Sequence, residues 1–262
     1  MTKIKEVFET IKAEDRKALI NYIVVGDPDL KTTLEIMKVM VNEGVDIIEL
    51  GIPFSDPMAE GVSIQTGHER ALEQGTTLTD AFSLVESFRE INKETPLVFM
   101  GYMNTFESLG AEKFMSEALR VGLDGLLIVD MPPEESSDFT LQAKKNDIDI
   151  IRLIAPTTSL DRASNICSKS SGYVYYISVK GITGAANLDS ADAKQKVQEL
   201  KGLTELPVVI GFGIKDAQSA ISVKEAADGV VVGSVFVDLV GEGGDILEKV
   251  TKKTRELSEA LS

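Results

Sequence analysis

The chain has 262 residues, of which 43% are hydrophobic, and its formal net charge is −15. This charge argues against a nucleic-acid partner, because phosphate backbones require basic surfaces, although backbone N–H groups can still hold a small anion. The single cysteine, Cys167, excludes an internal disulfide and a cysteine cluster for a metal, and no targeting or membrane-spanning segment is recognisable. We therefore expect a cytoplasmic protein with no bound metal and no membrane contact.

Short apolar runs alternate with charged amphipathic stretches along the chain, after a helical start at residues 3–13. Eight runs are continuous enough to be buried strands: 19–25, 45–50, 97–102, 125–130, 148–155, 173–178, 207–211 and 229–232. Helical patterns lie between them, for example at 32–42, 79–93, 111–121, 133–146 and 191–200. Near-continuous apolar strands separated by helices indicate parallel strands that are covered on both faces.

Eight such units predict an α/β fold, a (β/α)8 TIM barrel with an extra N-terminal helix, and a site at the C-terminal ends of the strands. We expect residues 1–262 to form a single domain, because no linker or low-complexity segment divides the chain. A doubly wound sheet is the alternative, but the first strand is not followed by the glycine-rich fingerprint and later acidic residue of that fold.

The second predicted strand ends in a carboxylate. Alternation along the strand places Ile47 and Glu49 on one face and Ile48 and Leu50 on the other, so Glu49 points toward an apolar interior. A carboxylate there costs free energy unless it is paired, protonated or used. The following loop supplies a second carboxylate, Glu60, and two carboxylates in different surroundings suit general acid–base chemistry.

Two other polar side chains near this strand are predicted to have ordinary roles. His68 lies in a charged helical stretch, and we expect it to be a solvated histidine, not a ligand or a base. Asp56 is expected to be a loop or helix-cap residue.

The last two predicted strands run into small residues. One leads into the turn Gly211-Phe212-Gly213, and the other into Gly233 and Ser234, at an expected helix start. Small residues let backbone amides and a helix N-terminus approach an oxyanion, and in barrels these two loops often form a phosphate site. The glycine-rich segment 181–185 after the sixth strand can add another amide and a mobile cover.

The segment 49–57, Glu-Leu-Gly-Ile-Pro-Phe-Ser-Asp-Pro, with the following Ala-Glu-Gly at 59–61 and Ile-Gln at 64–65, resembles the signature of the tryptophan synthase α subunit family. The resemblance extends over nearly the whole chain. Segments 23–28, 100–104, 130–132, 181–184 and 211–214 also match this family in order and spacing. This set is specific to the family and not merely to barrels.

The resemblance implies retro-aldol cleavage of indole-3-glycerol phosphate to indole and glyceraldehyde 3-phosphate. In the roles it implies, Glu49 is the acid/base that protonates indole C3 and takes a proton from the glycerol side chain. Glu60 accepts the indole N–H proton, and Tyr175 lies near the reacting glycerol carbon. The other matching positions are the phosphate cradle of Gly184, Gly213, Gly233 and Ser234 with Phe212 beside it, the indole-pocket walls Tyr102 and Leu127, and Thr183, whose closing loop bonds the second carboxylate.

The resemblance also implies a partner, a tryptophan synthase β subunit in an α2β2 hetero-tetramer. Pyridoxal phosphate (PLP) is expected only in that subunit, and no cofactor is expected in this chain. Two positions depart from the family's usual pattern, since Glu60 stands for Asp and Val62 for Pro. Without the proline's fixed φ, we expect a looser loop and a differently placed base.

Three function classes remain open from the sequence. The first is the lyase, and the second is a weakly active or non-catalytic member that acts mainly as an allosteric partner of the β subunit. The third is another phosphate-binding barrel enzyme, such as an isomerase or an aldolase. Glu60 and Val62 slightly favour the second class, whereas the intact carboxylate pair and Tyr175 favour the first.

Overall fold

A computed structural model of the chain describes residues 1–178, 190–211 and 213–262. Eight parallel strands close into a barrel in sequence order, with the last strand paired to the first. The strands are β1 (Ala18–Val24), β2 (Ile47–Gly51), β3 (Leu97–Gly101), β4 (Gly125–Ile128), β5 (Asp149–Ile154), β6 (Val174–Ile177), β7 (Val208–Gly211) and β8 (Gly229–Val232). The predicted barrel and its eight strands are confirmed, with strand ends that differ from the predicted ones by at most two residues.

Helices surround the barrel. In the described residues they are α1 (Lys3–Ala13), α2 (Leu30–Asn42), α3 (Val62–Glu73), α4 (Leu78–Arg89), α5 (Met103–Glu107), α6 (Ala111–Val121), α7 (Ser137–Lys145), α8 (Leu160–Ser168), α9 (Ser190–Lys201), α10 (Ala217–Lys224), α11 (Ser234–Glu242) and α12 (Ile246–Leu261). The predicted bounds of α1 and α6 are those observed. Helix α4 ends earlier than predicted, and the Arg89 side chain donates to the carbonyls of Asn92 and Thr95, which lie in the turn that follows.

Two apolar layers form the core, one inside the barrel and one between the strands and the helices. Ile47 belongs to the inner layer, whereas Ile48 and Leu50 belong to the outer one, as the alternation predicts. Helix α1 contributes Ile4 and Phe8 to the inner layer and so closes the N-terminal end of the barrel. The opposite end, where the strands finish, is left for a site. Among the described residues, no helix has both the length and the apolarity that crossing a membrane requires.

Candidate active site

A cavity of 170 Å³ opens at the C-terminal ends of the strands. Its described walls contain both predicted carboxylates and part of the predicted phosphate cradle. The lining residues are Tyr22, Glu49, Glu60, Gly61, Val62, Ser63, Ile64, Met100, Tyr175, Ile214, Val231, Gly233 and Ser234. The structure therefore brings the proposed acid–base pair and the proposed anion site to one cavity, although they come from β2, the loop after it and the start of α11.

Glu49 is fully buried on β2, pointing into the barrel. The Tyr173 hydroxyl donates a hydrogen bond to Glu49 Oε1 at 2.6 Å, whereas Oε2 has no hydrogen-bond partner among the described residues. Burial raises the pKa of the Glu49 carboxyl to about 7, against the opposing effect of the Tyr173 hydrogen bond. A carboxyl with this pKa can donate a proton or accept one near neutral pH.

Glu60 lies at the end of the loop between β2 and α3, and only 6% of the residue is exposed. Its backbone is held in place, because the N–H donates to Pro57 O and the carbonyl accepts from Gln65 Nε2. Neither carboxylate oxygen accepts a hydrogen bond from the described residues, and both are buried. Since Glu60 lines the cavity, its Oε1 is available to an N–H donor on a ligand.

His68 is buried, so the prediction of a solvated histidine is wrong. Only 1% of His68 is exposed, and its Nε2 lies 2.8 Å from Glu60 Oε2. The Phe54 N–H donates to His68 Nδ1 at 3.1 Å, and the Tyr22 hydroxyl lies 3.2 Å from Nε2. The charged residues around His68 in the sequence lie on other faces of α3, whose inner face consists of Gly67, His68 and Ala71.

Two tyrosines complete the polar part of the cavity. Tyr175 on β6 and Tyr22 on β1 are buried, and burial together with the nearby Glu49 and Glu60 charges raises the pKa of both hydroxyls. A Cβ on Gly211 would lie 2.0 Å from the Tyr175 hydroxyl oxygen. Glycine at this position of β7 therefore gives the tyrosine its place, and Tyr175 remains a neutral hydroxyl that can donate or accept a hydrogen bond.

The predicted phosphate cradle is described in part. Gly233 is the N-cap residue of α11 and Ser234 is its first residue, and both line the cavity. Gly213 has φ +79°, in the left-handed region that favours glycine. The described lining residues include no Lys or Arg, so an anion here would be held by backbone N–H groups and the N-terminus of α11.

The other predicted site residues divide into two groups. Thr183, Gly184 and Phe212 lie outside the described residues, so their expected roles stay predictions. Tyr102 and Leu127 are buried, and neither is among the described residues that line the cavity. The Tyr102 hydroxyl instead accepts the Ala59 N–H at 3.1 Å, beside Glu60 in the loop.

The sequence reasoning missed Tyr173 and His68. Tyr173 comes two residues before Tyr175, and alternation would have placed both side chains inside the barrel. His68 shares a helical face with Ile64, Gly67 and Ala71, and this spacing indicates the buried side of a helix. Both residues were therefore accessible from periodicity alone.

Comparisons with known proteins agree with this geometry. A profile of the family described as "Tryptophan synthase alpha chain" matches residues 8–262. The tryptophan synthase alpha chain of Acinetobacter baumannii (strain ATCC 17978) is 46% identical, over 100% of this chain and 98% of that protein. The structure of tryptophan synthase subunit alpha from Legionella pneumophila has a TM-score of 0.91 and 36% identity, and covers 100% of this chain and 98% of its own. The structure of the tryptophan synthase complex from Pyrococcus furiosus has a TM-score of 0.83 and 37% identity. It covers 92% of this chain and 98% of its own.

Proposed function

Because the chain belongs to the tryptophan synthase alpha chain family, whose members are lyases that cleave indole-3-glycerol phosphate in tryptophan biosynthesis, we propose that Glu49 and Glu60 carry out this cleavage as an acid–base pair. Family membership removes the third alternative, an unrelated phosphate-binding barrel enzyme. The observation that carries the residue roles is that Glu49 Oε2 and Glu60 Oε1 are buried, without a hydrogen-bond partner among the described residues, in the wall of one cavity.

In the proposed reaction, protonated Glu49 gives its proton to indole C3 while Glu60 accepts the proton of the indole N–H. The resulting indolenine is neutral. Glu49, now a carboxylate, takes the proton of the glycerol hydroxyl. The carbon–carbon bond then breaks, and the electron pair of that bond returns to the indole ring. Glu60 then returns its proton to the ring nitrogen, so that indole and an aldehyde leave without net gain or loss of protons. The raised pKa of Glu49, about 7, supports both of its steps near neutral pH.

The substrate phosphate is proposed to bind at Gly213, Gly233 and Ser234, with Gly184 and Phe212 contributing from outside the described residues. This end of the cavity offers small residues and the N-terminus of α11. Binding energy from the phosphate, remote from the bond that breaks, would position the indole against the two carboxylates. Tyr175 is proposed to lie near the reacting glycerol carbon, and its buried hydroxyl close to the charges of both carboxylates supports this role.

The partner is proposed to be a PLP-dependent tryptophan synthase β subunit in an α2β2 assembly, with no cofactor bound by this chain. The solved structure of a tryptophan synthase complex from Pyrococcus furiosus supports a partner of this kind. Met58 and Val62, in and after the loop that carries Glu60, are 79% and 78% exposed, and such apolar side chains suit a protein contact. A member that acts mainly as an allosteric partner remains the alternative, and indole release measured with and without a β subunit separates the two.

We also propose that residues 1–262 form one domain in the cytoplasm. Support for the single domain comes from the closure of the barrel by both chain ends. Helix α1 fills the bottom of the barrel, and the Lys17 N–H before β1 donates to Leu261 O at the end of α12.

The test of the reaction is Glu49→Gln. Gln keeps an oxygen for the Tyr173 hydroxyl but cannot transfer the protons, so turnover should fall ~10²–10⁴-fold while binding of glycerol phosphate persists. Single-turnover indole release measures the first quantity, and calorimetric titration with glycerol phosphate measures the second. Tyr173→Phe is the matched control, because it removes the hydrogen bond but leaves the carboxyl. Wild-type turnover in Glu49→Gln would show that the role given to this residue is wrong.

A further inference from the structure

We propose that His68 is a positioning residue for the reaction, which holds the Glu60 carboxylate at the side of the cavity where the indole N–H must lie. The inference deepens the proposed function and rests on it, because it takes Glu60 to be the group that accepts the indole proton. It concerns a residue of α3 that does not line the cavity as the described residues form it.

The tautomer of His68 follows from its two neighbours. Nδ1 accepts the Phe54 N–H at 3.1 Å, so this nitrogen carries no proton. The ring proton is then on Nε2, which faces the Tyr22 hydroxyl oxygen at 3.2 Å and Glu60 Oε2 at 2.8 Å. His68 therefore turns its positive N–H edge toward the Glu60 carboxylate.

The imidazole is held more firmly than the carboxylate. Helix α3 is held to the loop after β1, because Arg70 donates to both Asp27 oxygens, at 2.8 and 2.7 Å. It also packs closely on α11, since a Cβ on Gly67 would lie 2.6 Å from Val237. Glu60, by contrast, comes from an irregular loop, and its side chain has three rotatable bonds. A fixed group on the helix can select one rotamer of the flexible group on the loop.

Burial makes this selection effective. The side chains of His68 and Glu60 are 1% and 2% exposed, so solvent does not compete for the contact. No other described residue hydrogen-bonds either Glu60 oxygen, so the Nε2 edge of His68, 2.8 Å from Oε2, is the polar contact of this carboxylate. Oε2 faces His68, and the carboxylate retains lone pairs for the substrate N–H.

Two conservative variants distinguish the contact that His68 makes through Nδ1 from the contact that it makes through Nε2. In His68→Gln, the amide nitrogen can take the place of Nε2, so a donor still faces Glu60. In His68→Asn, the amide oxygen can take the place of Nδ1, so the Phe54 N–H keeps its acceptor while Glu60 loses its neighbour. We expect kcat to fall about 10²-fold in His68→Asn, the typical effect of a misplaced catalytic group, with KM changed less than about threefold. In His68→Gln we expect kcat to remain within about tenfold of the wild-type value.

The decisive comparison repeats both variants in a Glu60→Gln background. If His68 acts through Glu60, the second substitution should change kcat by less than about twofold there, because the base is already lost. A purely structural role would lower kcat by the same factor in both backgrounds and would overturn the inference. Val250→Ala, which destabilises the chain at a buried position of α12 away from the cavity, controls for loss of stability alone.

The outcomes also separate this inference from the proposed function. Wild-type turnover in Glu60→Gln would refute the role of Glu60 itself. Impaired turnover in Glu60→Gln, together with wild-type kcat in His68→Asn, would refute only the role of His68. If His68→Asn does not fold, His68→Met takes its place, because it removes the donor without burying a new amide, and the same two results decide.

Discussion

Burial of the Glu49 carboxyl in the cavity costs free energy when the group is charged. This carboxyl is fully buried, and the one hydrogen bond from Tyr173 does not offset the loss of water around the charged form. The same burial that disfavours the charge gives the group a pKa of about 7, which its proton transfers require. Stability and activity should therefore oppose each other at this residue.

The free-energy cost of burying the charged Glu49 carboxylate predicts that Glu49→Gln stabilises the chain to an extent that depends on pH. The pKa of Glu49 is about 7 in the folded chain, above the ordinary 4.5, so between these pH values the folded chain binds a proton that the unfolded chain does not. Wild-type stability then falls as pH rises through this window. The unfolding free energy of Glu49→Gln relative to wild type should increase by about 3 kcal/mol between pH 4.5 and 7. Urea unfolding at several pH values measures it.

A second glutamate gives the control for this titration. Hydrogen bonds from Arg162 hold the pKa of Glu134 at about 2, so Glu134→Gln should change the pH dependence only below pH 4.5. An equal pH dependence for the two variants between pH 4.5 and 7 would contradict the burial account of Glu49.

The sequence identified those side chains whose neighbours in the chain are themselves informative. Glu49 was predictable because it ends an apolar strand, and alternation fixed its direction. The burial of His68 was missed because charged neighbours such as Glu69 indicate a solvated helix, although the apolar spacing of Ile64, Gly67 and Ala71 places His68 on the inner face of α3. The contact between His68 and Glu60 depends on the path of the intervening loop, which no short-range pattern specifies.

The element that connects the two carboxylates is the loop from β2 to α3. It ends at Gly61, the N-cap residue of α3, and Val62 is the first residue of the helix. The loop is held at several points, by the Phe54 N–H to His68, the Ala59 N–H to Tyr102 and the Glu60 carbonyl to Gln65. Hydrogen bonds thus restrain this loop, whereas the sequence predicts a looser loop because Val62 stands in place of proline. A substitution at Val62 tests which of the two holds.

We expect Val62→Pro to stabilise the chain and to raise kcat several-fold. Gly61 has φ −73° and ψ 167°, the extended conformation that a residue before proline prefers. The first helical position also needs no N–H partner within the helix. Proline there removes unfolded conformations worth ~0.4–1 kcal/mol. Thermal unfolding and steady-state indole release measure the two effects, and the phosphate site should be little changed.

The alternative is that Val62 and the longer Glu60 compensate each other. In that case Val62→Pro and Glu60→Asp would each lower kcat/KM, and the double variant would recover it. A loss in both single variants followed by such recovery contradicts the expectation above. A gain in Val62→Pro that is independent of residue 60 supports it.

Strands were predicted more accurately than helix ends. The strands are continuous apolar runs because both of their faces are covered, and this property is local in sequence. Helix ends depend on tertiary contacts as well. Helix α7 begins at Ser137, after a turn in which the Ser136 hydroxyl donates to Pro133 O and accepts from Arg152. Arg152 comes from β5, so a local pattern that begins at Pro133 could not show where the helix starts.

The two ends of the barrel have different roles, since one is packed by helix α1 and the other carries the cavity. Helix α1 seals one end with Ile4 and Phe8, and Phe8 packs on Tyr173 with ring centroids 5.8 Å apart. The Tyr173 hydroxyl in turn donates to Glu49, so Tyr173 connects helix α1 to the carboxylate of the site. The cavity at the other end joins residues that are distant in the sequence, which is why eight strands could be predicted but the cavity's shape could not.

A ligand at that open end should stabilise the whole barrel. Glycerol phosphate that binds only the folded chain raises the unfolding free energy by ~2.7 kcal/mol at a hundredfold excess over its Kd. Ser234→Asp should abolish this effect, because its carboxylate repels the phosphate at the N-terminus of α11. A negative charge at the N-terminus of α11 interacts favourably with the helix dipole, so the unliganded variant should be no less stable than wild type. Ser83→Asp adds an equal charge on the exposed side of α4 and should keep the ligand effect. Thermal unfolding with and without glycerol phosphate measures all three chains, and an unchanged shift in Ser234→Asp would mean that the phosphate binds elsewhere.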